Sequence, residues 1–172
     1  MTSRSDGMKE GDLHFVAAGP DHCDLYFSWA NDPGVRANSF DSRPIRYENH
    51  AAWFQNQIRN HSVRMYVVEQ AQKPVAQIRF VETEAGCWQI NFSLDASERG
   101  KGLGALVLAR GVKTLKQDLP EQSLQVFGLV KAQNISSAKS FLRAGFLESV
   151  SGEPDVRKFC MSVKEGSEWK SQ

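Results

Sequence analysis

The 172-residue sequence predicts an α/β fold, a mixed sheet flanked by helices in one domain, and three observations carry that reading. Helical periodicity in the first third gives way at Arg64 to three runs of period-two alternation joined by short turns. A glycine-rich segment then separates the last run from a long helical pattern. A further strand follows that helix, so the crossover permits one parallel pairing beside the antiparallel ones.

Taken in order, residues 13–17 read as a short first strand. Pro20 and Asp21 open a helix through Asp24, Leu25, Tyr26 and Trp29, ending at Asn31-Asp32-Pro33. A second helix spans about 47–60 and carries Ala51, Trp53, Phe54 and Ile58. Strands follow at 64–69, 75–81 and 87–94, linked by Ala71-Gln72-Lys73-Pro74 and Thr83-Glu84-Ala85-Gly86. Links this short imply antiparallel pairing. After the glycines, Leu103, Leu106, Val107, Leu108, Val112, Leu115 and Leu119 recur at helical spacings. A strand at 124–130 precedes a helix capped by Asn134 and ended by Gly145, where Phe146 packs back on Phe141. Two strands at 146–150 and 156–163 complete the order.

Composition narrows the partners. Lys plus Arg total 21 against 20 Asp plus Glu, a net charge of +1, so no global field recruits nucleic acid or an anionic membrane. No apolar run approaches the ~20 residues of a membrane span, and residues 1–12 lack a signal-peptide core, so a cytoplasmic location is expected. Cys23, Cys87 and Cys160 are widely spaced and make no ligand cluster with His14, His22, His50 and His61. Neither a disulfide framework nor a metal site is expected. The chain 1–172 is one domain, with 1–11 and 165–172 as flexible polar tails and a monomer or homodimer as the working state.

The segment Glu98-Arg99-Gly100-Lys101-Gly102-Leu103-Gly104-Ala105 holds the chemistry. It joins a strand to a helix with no acidic residue before Asp118, where unsatisfied N–H groups and the positive helix end favour an anion. A Walker loop is excluded, because Gly102 follows Lys101 where Ser or Thr is needed. A dinucleotide fingerprint is disfavoured, because the 124–130 strand has no acid at its end. Arg99-Gly100-Lys101-Gly102-Leu103-Gly104 fits the pattern Gln/Arg-x-x-Gly-x-Gly/Ala, and Asn134 is followed eleven and twelve residues later by Gly145-Phe146. Together these segments resemble the two signatures of the GNAT N-acetyltransferase superfamily.

The resemblance implies a mostly antiparallel sheet whose fourth and fifth strands splay apart to admit acetyl-CoA. Phe92, Ser93 and Leu94 would present backbone groups to the pantetheine, the loop from Arg99 through Gly100, Lys101, Gly102, Leu103 and Gly104 to Ala105 would hold the pyrophosphate, and Asn134 would complete the site. An N–H near Leu94 would polarise the thioester carbonyl. Two departures matter. Phe141 stands where many members have a proton-donating Tyr, and 125–130 lacks the Glu that some use as a base. Glu82 and His50 are the remaining acid–base candidates.

The segments 29–40, 50–54 and 77–80 are similar to a GNAT branch that acetylates the 4-amino group of nucleotide-linked amino sugars in pseudaminic-type acid synthesis. In that reading the acceptor is a UDP-amino sugar, Trp29, Phe40 and Trp53 form a stacking wall, and Arg36, Arg43, Arg46 and Arg79 meet a diphosphate. A peptide, protein or other small amine as acceptor, and a non-catalytic acyl-CoA sensor, are the alternatives.

Overall fold

The computed structural model describes residues 13–166. The strands β1 (Leu13–Ala17), β2 (Val63–Gln70), β3 (Lys73–Glu84), β4 (Cys87–Leu94), β5 (Leu124–Lys131), β6 (Leu147–Ser149) and β7 (Val156–Val163) form one sheet. Their order is β1-β2-β3-β4-β5-β7-β6. β4 and β5 alone run parallel. The helix α4 (Leu103–Asp118) returns the chain between them, as the expected crossover requires. The helices α1 (Cys23–Ala30), α2 (Pro33–Asn38), α3 (Tyr47–Arg59) and α5 (Ile135–Arg143) complete the architecture.

Alternation along the strands builds a core on each face. Ile78, Phe80, Trp88 and Ile90 join Leu103, Val107, Leu108 and Phe141 in the larger core, under α4 and α5. Val63, Met65 and Val67 point the other way and pack with Tyr26, Trp29 and Phe54 of α1 and α3. Phe54 is fully buried, and burying a side chain of that size contributes roughly 1.5–3 kcal/mol. Gly128 of β5 lets α5 press on the sheet, because a Cβ there would lie 2.2 Å from the Phe141 ring.

The ending of α5 follows the sequence expectation. Gly145 takes φ +93°, its N–H reaches the Leu142 carbonyl and the Phe146 N–H reaches that of Phe141, each at 3.1 Å. The Phe141 and Phe146 rings meet edge to face at 5.0 Å.

Other elements differ from expectation. The first hairpin turns on Ala71 and Gln72 alone, with φ of 48° and 64°, so Lys73 and Pro74 belong to β3. Asn31-Asp32-Pro33 ends α1 but also starts α2, where Asp32 caps the Gly34 and Val35 N–H groups. Pro33 is thus a first-turn residue as well as a stop. The expected tails fall mostly outside the described residues. Glu165 lies within them, and its N–H donates to Ser123 Oγ.

Candidate active site

The pairing of β4 with β5 ends at Ile90 and Gly128, although β4 continues to Leu94 and β5 to Lys131. The strands therefore part at their carboxyl ends, where open α/β sheets place ligands. The Asp95 N–H donates to the Val75 carbonyl, which fixes the alternation on the β3 side of β4. Asn91 and Ser93 accordingly turn their backbone groups toward β3, and Phe92 and Leu94 turn theirs into the gap. This corrects the role expected of Ser93. Its backbone is engaged by β3, and its hydroxyl accepts from Gln77 Nε2 at 3.1 Å.

The glycine loop adjoins the same end. A short 3-10 turn, Ala96–Glu98, is capped by Asp95 and leads through Gly100 (φ +75°) and Gly102 (φ +81°) into α4. No side chain caps α4, so the N–H groups of Gly102, Leu103, Gly104 and Ala105 remain to be satisfied. A Cβ built on Gly100 or Gly102 meets nothing within 4 Å. The turn thus has the left-handed glycines, free donors and open exterior that a pyrophosphate requires.

The other loop residues divide the work. Leu103 is fully buried in the core. Gly104 serves helix packing, since a Cβ there would lie 2.6 Å from Ser140 Oγ. Lys101 Nζ sits 3.1 Å from Glu98 Oε2, and the ammonium holds that carboxyl below its usual range. Arg99 reaches away to Asp32 Oδ1 at 2.6 Å. Burial alone would raise the Asp32 carboxyl, but the Arg99 bond and the Val35 and Gly34 N–H groups outweigh it and hold it low. Asn134 caps α5, accepting from the Ser137 N–H at 3.1 Å.

Phe141 is 2% exposed, stacked on Phe159 and edge-on to Phe92. It is core, and it has no proton to give. Glu82 pairs with Trp88 near the start of β4, where β4 and β5 are still paired and about 20 Å along the strand from Leu94, and accepts from the Gly86 N–H at 3.0 Å. His50 is 2% exposed among Phe27, Trp53 and Phe54, and its Nε2 donates to the Cys23 carbonyl at 3.1 Å. Burial lowers the His50 pKa, and its placement is that of a packed core group. The structure brings neither candidate to the gap.

The α1–α3 face supplies polar side chains, among them Asn91, to which the sequence reading gave no role, and Arg79, which it had placed against a diphosphate. Asn91, Ser93 and Gln77 line it at the gap, with Gln77 Nε2 between Ser93 Oγ and Asn91 Oδ1. Arg79 lies opposite Asn91, its guanidinium 5.0 Å over the Trp53 ring and bonded to Gln57 Oε1 at 3.1 Å. Burial lowers the Arg79 pKa, and no carboxylate contact accompanies it among the described residues. Trp53 and Phe40 keep exposed ring surface, at 37% and 59%. Trp29 does not join them: it is 5% exposed, with Nε1 donating to Asp95. Arg36 donates to the Asp41 and Arg43 carbonyls, and Arg43 pairs with Asp41. Arg36, Arg43 and Arg46 line one groove of about 340 Å³ with Asp41 and Asn49.

The family described as acetyltransferase (GNAT) domain matches residues 12–147. The chain belongs to the GNAT acetyltransferase family. It is an acyltransferase, in a family whose acyl donor is acetyl-CoA. A comparison with curated proteins finds no match. Among solved structures, spermidine N-acetyltransferase from Vibrio cholerae in complex with CoA and spermine aligns with a TM-score of 0.76 at 16% identity, over 88% of this chain and 95% of that one. RimL, the ribosomal L7/L12 alpha-N-protein acetyltransferase in complex with coenzyme A, aligns at 0.73 and 15% identity, over 88% and 94%. AAC(6′)-Ib in complex with ribostamycin and coenzyme A aligns at 0.73 and 20% identity, over 88% and 92%. At these identities the likeness is one of fold, and it includes the parallel β4–β5 pair of this GNAT acetyltransferase. No group of three or more His, Cys, Asp or Glu able to hold a metal occurs among the described residues.

Proposed function

We propose that this GNAT enzyme acetylates the amine of an anionic acceptor, a nucleotide-linked amino sugar with its amine at the 4-position. The observation that carries the reading is Arg79, a largely buried guanidinium on the acceptor face with an indole beneath it and no carboxylate contact among the described residues. Placing such a charge without an anion is costly, and a diphosphate would supply that anion while Trp53 offers a surface for a sugar or base. A polycationic amine would meet like charge there.

Acetyl-CoA, when bound, supplies an acetyl group activated as a thioester. The free N–H groups of the loop and of α4 would hold its pyrophosphate, and Phe92 would hold its pantetheine by its gap-facing backbone groups. The gap-facing N–H of Leu94 would polarise the acyl oxygen, and a fixed donor of this kind contributes about 2.7–4 kcal/mol to transition-state stabilisation in the best mutational cases. Asn91 and Ser93 orient the amine by hydrogen bonds on the opposite side. Both are uncharged and Phe141 has no hydroxyl, so water at the open mouth takes the amine proton and protonates the departing thiolate.

The test is thiol release from acetyl-CoA with UDP-4-amino sugars, N-terminal peptides, spermidine and an aminoglycoside as acceptors. Turnover favouring the UDP-amino sugar by at least an order of magnitude supports the reading. Preference for a peptide or polyamine overturns the acceptor, and tight acetyl-CoA binding with no turnover on any acceptor replaces catalysis with sensing.

A further inference from the structure

Two hydrogen bonds tie the short helix α2 and its cap to both arms of the gap. At its start, Asp32 Oδ1 accepts from Arg99 Nη2 at 2.6 Å, while the same guanidinium nitrogen lies 3.3 Å from the Leu94 carbonyl. Gly34 makes room for this, because a Cβ there would fall 2.8 Å from Arg99 Nη1. At the other end of α2, Lys131 Nζ donates to the Ala37 carbonyl at 3.2 Å. Arg99 belongs to the glycine loop after β4, and Lys131 is the last residue of β5. Six helical residues reach about 9 Å, enough to bridge strands that have parted from their ordinary spacing of roughly 4.8 Å.

We infer that α2 is a strap across the mouth of the gap, and that Asp32 and Lys131 are positioning residues coupling the acyl-donor loop to the end of β5. The inference rests on the glycine loop binding CoA and makes no use of the acceptor's identity. A donor seated in the gap fixes the loop and the separation of the two arms, and with them both ends of the strap. Order in α2 and donor affinity are then linked, and by reciprocity each strengthens the other.

The test is amide hydrogen exchange on the full chain with and without CoA, alongside calorimetry of CoA binding. In the unaltered protein, CoA should slow exchange of the α2 amides by at least about fivefold, the low end of ordinary intersite coupling. Asp32→Asn keeps a capping oxygen for Gly34 and Val35 but removes the charge facing Arg99, so the CoA-dependent protection should vanish. Lys131→Met lies outside the glycine loop and should abolish it too, whereas Lys131→Arg, which keeps a donor, should restore it. CoA bound by calorimetry with α2 exchange unchanged would overturn the strap alone, as would protection surviving in both Asp32→Asn and Lys131→Met. Failure of CoA to bind would overturn the donor assignment, and the strap with it.

Discussion

The two faces of the sheet are built on different principles. Under α4 and α5 the proposed donor site consists of backbone: gap-facing amides of Phe92 and Leu94, free N–H groups at the start of α4, and glycines that clear space for them. The side chains there are generic core, such as Leu103, Val107 and Phe141. Under α1 and α3 the core is smaller, and in the proposed reading side chains set the chemistry: Gln77, Arg79, Asn91 and Ser93 on the sheet, Trp53 and Gln57 on α3. A face made of backbone can bind one invariant ligand through many sequences. A face made of side chains can change its ligand without changing the fold.

The contrast is open to disruption, beginning with the largest effect. Phe141→Ala removes the ring wedged among Phe92, Phe146 and Phe159 and should cost about 3–5 kcal/mol, read as a lower urea midpoint with unchanged slope. Normal stability with lost turnover would move Phe141 from the core into the chemistry. Gly102→Val puts a β-branched residue at φ +81° in the cradle, so CoA affinity should fall about 10–100-fold, with local strain of roughly 1–2 kcal/mol. Calorimetry showing full affinity would break the backbone account of the donor face.

Arg79→Met addresses the acceptor face. It should raise the KM for an anionic acceptor about tenfold, the scale of one charge-assisted hydrogen bond, while CoA affinity stays put. Parallel losses for donor and acceptor would erase the division between the faces. The packed His50 gives a pH effect. Its folded pKa lies below the unfolded value, so its contribution is complete above about pH 6.5 and declines as acidification through the folded pKa forces a charge into the core. Denaturation midpoints from pH 7.5 to 5.5 should show that decline, and His50→Gln should flatten it. Glu82→Gln should leave kcat unchanged; a marked fall would return Glu82 to the proton chemistry.

The same division explains what the sequence disclosed. The glycine loop, the Asn134 cap and the Gly145 ending were legible because local backbone demands leave residue-type signatures at fixed spacing. The parallel β4–β5 pair followed from the length of the intervening crossover. The acceptor side depends on contacts between residues far apart in the chain, such as Arg79 with Gln57 or Asp32 with Arg99, and no local pattern announces those. Asn91 and Ser93 were visible as the polar half of an alternating strand, but alternation alone does not distinguish a solvated face from a binding face. Glu82 and His50 had suitable chemistry in unsuitable places: hairpin register carried one to the far end of the sheet, and aromatic packing closed over the other.

The seam between β4 and β5 is held by only four residue pairs, Cys87–Gln125 to Ile90–Gly128. Mechanically the sheet is two ribbons, β1-β2-β3-β4 and β5-β7-β6, stitched along half of their common border. A ligand lodged in the open half takes the place of the missing rungs, serving as a removable strand as much as a reactant. Donor occupancy should therefore stiffen the whole seam, and heat should unzip the empty protein there first.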